Sequence, residues 1–172
     1  MPPAICSASS VKGVLADPVK GFGVLSDYAK RRASLATGLK REKGSWTLLA
    51  PAVATEAALF QDGARQLAIA TDRLLRRHGK KIVDAQLPTR RLADVMIDLF
   101  ALAAMLARVS TRVEDHGEDA TVVEREILRT FARQAKRRVD AGLAGLDENE
   151  DAGVQALANH VLETGRYTWD NV

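Results

Sequence analysis

The run from Arg90 to Thr111, RRLADVMIDLFALAAMLARVST, constrains what this chain can fold into more than any other segment. From Val95 to Ala107 only Asp98 is polar. A helix built from these residues is apolar nearly all round, and its expected place is the centre of a helical core. The apolar stretch is too short to cross a bilayer, which takes about 20 such residues.

Ala, Leu, Arg, Glu and Asp dominate the remainder of the 172 residues, aromatics make up only 5%, and alternating strand-like runs are missing. The expected fold is therefore all-α, a bundle of about five helices. A chain of this length can bury roughly two-thirds of its unfolded surface around one core. Its 25 basic and 22 acidic residues leave a formal charge of +3, too small an imbalance to demand a polyanionic partner. The lone Cys6 excludes an intramolecular disulfide and a cysteine-only metal cage, which suits a reducing compartment. No basic segment followed by an apolar one opens the chain, so the expected location is the cytoplasm.

Residues 1–10, rich in Pro, Ser and Ala, read as a disordered leader, 11–50 as a helix plus a loop, and 51–172 as the bundle. Asp17 ahead of Pro18 starts a helix to about Leu35, and a long loop follows from Thr37 to Ala50. Pro51 opens a helix to His78 with Val53, Ala57, Phe60, Ala64, Leu67, Leu74 and Leu75 on one stripe. Gly79 stops it, and Arg76, Arg77 and His78 suit its negative end. Lys80 to Leu87 forms an extra turn broken by Pro88, after which the central helix runs from about Thr89 to Glu114 and leaves through His116 and Gly117. The fourth helix, Ala120 to Leu146, is expected to bury Val123, Ile127, Phe131, Ala135, Val139 and Leu143, with Arg125, Arg129, Arg133, Arg137 and Glu124 outside. The last, Glu148 to Glu163, turns Val154, Leu157, Val161 and Leu162 inward and stops at Gly165, with Tyr167 and Trp169 pinning the tail.

No constellation for chemistry emerges. Glu114, Asp115, His116, Glu118 and Asp119 lack the spacing and glycine of a calcium loop and read as a solvated connection. His78, His116 and His160 have no second ligand at helical spacing. Nucleophile–base signatures and phosphate loops are absent, so no catalytic, cofactor-binding or metal residue is assigned. The basic clusters Lys30 to Arg32, Arg73 to Lys81, Arg90 with Arg91, and Arg133 to Arg138 are interspersed with acids and lack stacking aromatics, which argues against nucleic acid. Lys40, Arg41 and Lys43 beside Trp46, Leu48 and Leu49 have the composition of a membrane or partner contact. The competing reading is a loop whose Trp packs on the bundle.

The central run, with its R-L-A-D-x-x-I-D-L-F-A pattern, resembles the C-terminal region of very-long-chain acyl-CoA dehydrogenases. Leu15 to Arg32, LADPVKGFGVLSDYAKRR, is similar to the segment after that family's catalytic carboxylate helix, and Leu74 to Asp94 to the basic helix exit before its C-terminal bundle. Pro88 departs from the family pattern, which usually has a helix former there. The resemblance implies relatives that oxidise acyl-CoA with FAD and a glutamate base in an E-G-T-(N/S) motif. This chain contains no such motif, so no catalytic residue carries over and FAD belongs to the full-length family. What it implies for this chain is a C-terminal module or truncated piece of a fatty-acid β-oxidation enzyme, non-catalytic alone, that docks on a dehydrogenase core or self-associates. Two alternatives accompany it: one part of a split dehydrogenase active with an upstream chain, and a peripheral module at the inner face of a membrane.

Overall fold

The computed structural model describes residues 49–167 together with Lys30, Ala33 and Trp169. Two compact units divide the chain, 1–44 and 45–172. Of the first only Lys30 and Ala33 are described, both helical and exposed; the rest of the expected helix Pro18 to Leu35 lies outside the described residues.

Every regular element among the described residues is helical, and the all-α expectation holds. Four long helices follow one another: α1, Ala54–His78; α2, Gln86–His116; α3, Val122–Ala144; and α4, Asp151–Thr164. Single 3₁₀ turns at Pro51–Val53, Gly79–Val83 and Asp119–Thr121 connect or open them. Gly79 and Gly117 end α1 and α2 at φ of 53° and 81°, a conformation that costs a side-chain-bearing residue but not glycine. Their N–H groups return to the carbonyls of Leu75 and Val113.

Pro88 does not break α2. The helix already begins at Gln86, so Pro88 falls in the first turn, where the N–H it lacks would have had no intrahelical acceptor. Lys80 to Val83 does form the expected short turn.

The helices α1, α2 and α3 pack on one another. At one end Val53, Ala57, Leu102, Leu106, Val109, Val113, Leu128 and Ala132 form the largest buried cluster, with Phe60, Met105 and Phe131 against it. Val95, Leu99 and Val139 fill the middle, and Ala70, Leu74, Leu92 and Leu146 the other end. Two glycines set the helix separations. An added Cβ at Gly63 would lie 2.8 Å from Leu99 Cδ2, and one at Gly142 would lie 2.8 Å from Val95 Cγ2. Glycine at these two crossings is what lets α1 and α3 approach α2 so closely.

Several expected faces are corrected. Leu75 of the α1 stripe is exposed, one residue round the helix from buried Leu74. On α3, Val123 and Ile127 are exposed, and the buried seam is Leu128, Ala132, Ala135 and Val139. Steps of four drift by about 40° each on a helix of 3.6 residues per turn, so a stripe drawn through Val123 and Leu143 cannot stay on one neighbour. Arg125, expected outside, is half-buried and grips Glu118.

Helix α4 buries none of its residues: Val154, Leu157 and Leu162 are exposed, as are Tyr167 and Trp169. It is held at its start instead, by polar contacts. The largest correction concerns α2, which is not enclosed on all sides: Met96, Ile97 and Phe100 are 58%, 65% and 77% exposed. Two neighbouring helices cover only part of its circumference.

Candidate docking face

The two sides of α2 differ in what they meet. Leu92, Val95, Leu99, Leu102, Leu106, Val109 and Val113 face inward and are buried. Asp98, the single polar residue of the apolar run, lies at the edge of that side, where Arg138 of α3 grips both its carboxylate oxygens at 2.6 and 3.0 Å. That carboxylate raises the affinity of Arg138 for its proton through the hydrogen bond, against the opposing effect of burial.

The outer side carries Ala93, Ile97, Phe100, Ala104, Ala107 and Thr111, all exposed, with Met96 beside them. Their spacing alternates four and three residues along the helix, the period of a coiled-coil seam. No charge interrupts it. Asp94 and Arg108 lie along one flank, each one residue past a seam position, Ala93 and Ala107. The seam is thus a contiguous exposed apolar surface with charge along one flank.

The outward surfaces of α1 and α3 contrast with it. They carry ion pairs: Arg76 with Asp72, Arg129 with Glu126 and Lys136 with Asp140. The Asp140 carboxylate, hydrogen-bonded to Lys136, raises the lysine's proton affinity. The start of α4 is tied to α2 by Arg91, whose two terminal nitrogens meet the Asp151 oxygens at 2.6 and 2.5 Å. That hydrogen-bonded pair holds the Asp151 carboxyl below its usual range. The acidic connection after α2 is knitted internally, with Arg112 to His116 and Glu124 and Arg125 to Glu118. The hydrogen bond from its own backbone N–H, helped by Arg112, lowers the Glu124 carboxyl.

No group of three metal-ligating side chains exists among the described residues, and no described helix is long and apolar enough to cross a membrane. The void beside Gly63, lined by Leu59, Leu99, Ala135 and Val139, measures about 10 Å³, the room of a single water. A larger groove of about 750 Å³ opens between α4 and the corner of α1 and α2, with Leu74, Leu87, Pro88, Leu146 and Val154 on its walls. It is open to solvent, and Arg77, His78, Gln86, Asn149 and Gln155 share its walls with those apolar residues.

Of the residues singled out for membrane or partner contact, Lys40, Arg41, Lys43, Trp46 and Leu48 lie outside the described residues. Leu49 is half-buried and packs against the cluster of Ala50, Val53 and Leu106. Sequence reasoning misses the outer seam of α2. Its four-three spacing stands in the sequence, masked by the equally apolar inner side.

Among the described residues, a three-helix core and one long exposed apolar seam on α2 define a small helical domain. The chain belongs to the ACAD9/ACADV C-terminal domain family, whose model matches residues 51–167. It is 29% identical over 145 residues to the human very long-chain specific acyl-CoA dehydrogenase, mitochondrial, an alignment taking in 82% of this chain and 21% of the relative. It is 35% identical over 121 residues to the probable acyl-CoA dehydrogenase FadE10 of Mycobacterium tuberculosis strain H37Rv, covering 69% of this chain and 18% of that protein. The rat very long-chain enzyme is 26% identical over 135 residues, covering 78% and 20%. The chain thus spans about a fifth of the length of the curated relatives it matches.

Proposed function

We propose that this chain is the C-terminal helical module of a very-long-chain-type acyl-CoA dehydrogenase of fatty-acid oxidation, non-catalytic alone, that works by packing against other protein. The observation that carries this reading is the uncovered apolar seam of α2 in a domain whose family model is a C-terminal domain. Dehydrogenation needs a base within hydrogen-bond reach of the acidic α proton and a flavin to take hydride; in this reading both belong to the larger remainder of the enzyme.

The test uses the Mycobacterium tuberculosis relative FadE10 with its own C-terminal fifth removed. Co-elution of that core with this chain supports the module. The purified chain is expected to be colourless and inactive on acyl-CoA. Stoichiometric bound FAD sinks the reading, as does a chain that neither binds the core nor self-associates. Turnover restored on mixing would identify the chain as one part of a split enzyme.

A further inference from the structure

We infer that the outer seam of α2 pairs with the same seam of a second copy of this chain, the two helices antiparallel about a two-fold axis near residue 102. This pairing rests on the association reading above and names its partner.

The seam is self-complementary. Across a two-fold interface, residue i meets residue j and j meets i. With the axis near residue 102, Ile97 of one copy falls opposite Ala107 of the other, Phe100 opposite Ala104, and Ala93 opposite Thr111. Each of the two large side chains meets a small one, which is how knobs find holes along an antiparallel seam. In the heptad these residues define, Asp94 and Arg108 occupy equivalent flanking positions, and such positions face each other when helices run antiparallel. Asp94 therefore lies opposite Arg108 of the second copy, twice.

Both residues are available. Asp94 is exposed, and its one ion pair among the described residues is a 3.9 Å contact to Arg90. Arg108 is exposed and has no ion pair with a described residue. A parallel arrangement would instead set Phe100 against Phe100 and leave Asp94 about 20 Å from Arg108 along the axis, with no charge match. The chemistry of the seam selects the antiparallel one.

The experiment is sedimentation equilibrium on the full chain over a wide concentration range. A reversible monomer–dimer equilibrium is expected. Phe100→Asp should weaken the dimer at least about tenfold, as loss of a central aromatic anchor does, while leaving the thermal unfolding curve of the monomer in place. Asp94→Arg and Arg108→Asp should each weaken it, and the double exchange D94R/R108D should restore it. A chain that stays monomeric at every concentration overturns the inference, as does a dimer indifferent to Phe100→Asp or a double exchange that fails to rescue. A monomer that still binds the truncated FadE10 core, and loses it with Phe100→Asp, overturns self-pairing while leaving the association reading intact.

Discussion

Arg91 and Asp151 form a two-pronged ion pair, 2.6 and 2.5 Å, between the second turn of α2 and the first turn of α4. No residue of α4 is buried, so this polar clamp, with Asn149 accepting the Asp151 N–H at 3.1 Å, is what fixes the helix start. The folded-state pKa of Asp151 is depressed, because the arginine hydrogen bond favours the carboxylate. Its stabilisation is fully present above the unfolded carboxylate range and is lost as pH falls through the lowered folded value. Acidification should therefore free α4 while α1 to α3 stay folded. An NMR titration of Asp151 checks this: a midpoint at the ordinary aspartate value would show that the clamp does not form, and Arg91→Ala should move it there.

The two interhelical glycines should respond differently to alanine. Gly→Ala inside a helix ordinarily stabilises by about 1 kcal/mol, whereas forcing volume into a packed site costs about 1–3 kcal/mol. At Gly142 the new methyl meets Val95 Cγ2, and a β-branched chain on a helix is held to one rotamer. At Gly63 it meets the outer methyl of Leu99, which can turn aside more easily. Gly142→Ala is expected to lower stability and Gly63→Ala to lower it less. Chemical denaturation decides; equal effects would mean that the α2–α3 separation is softer than the geometry implies.

Ser110 does a backbone's work. Its Oγ accepts the Ala50 N–H at 2.7 Å and donates to Glu114 at 3.3 Å, both Ala50 and Ser110 being buried. Ser110→Ala leaves that N–H without a partner, at a cost of about 1–3 kcal/mol. A loss below measurement error in a thermal melt would imply that water replaces the hydroxyl.

On α2, Leu106 faces the core and Phe100 faces outward. Leu106 is wholly buried, and Leu106→Ala should cost about 2–5 kcal/mol. Phe100→Ala, measured in dilute solution, should change stability by no more than about 0.5 kcal/mol. Comparable losses at the two positions would show that the outer seam is already covered within a single chain.

Helix ends are more legible in this sequence than helix faces. Gly79, Gly117 and Gly165 stop their helices where expected, because a positive φ is a local demand that one residue answers. Faces depend on how many neighbours a helix has. Val154 and Leu157 read as inward on pattern, yet α4 is held by a charge pair. The run Val95 to Ala107 reads as buried from all directions, yet α2 has neighbours on one side. Pro88 reads as a break because its prohibition applies to helix interiors, and only the start at Gln86 shows that it stands in the permitted first turn. Trp46 and its basic neighbours lie outside the described residues.

Asp98 fixes how α2 is turned about its own axis. A helix apolar on every side can rotate and still bury oil against its neighbours, so hydrophobicity alone leaves α2 with nearly equivalent settings. One carboxylate, matched to Arg138 across the α2–α3 contact, lifts that degeneracy: any other setting gives up the pair. The pair works as a keyway, and it decides which of two greasy sides looks out.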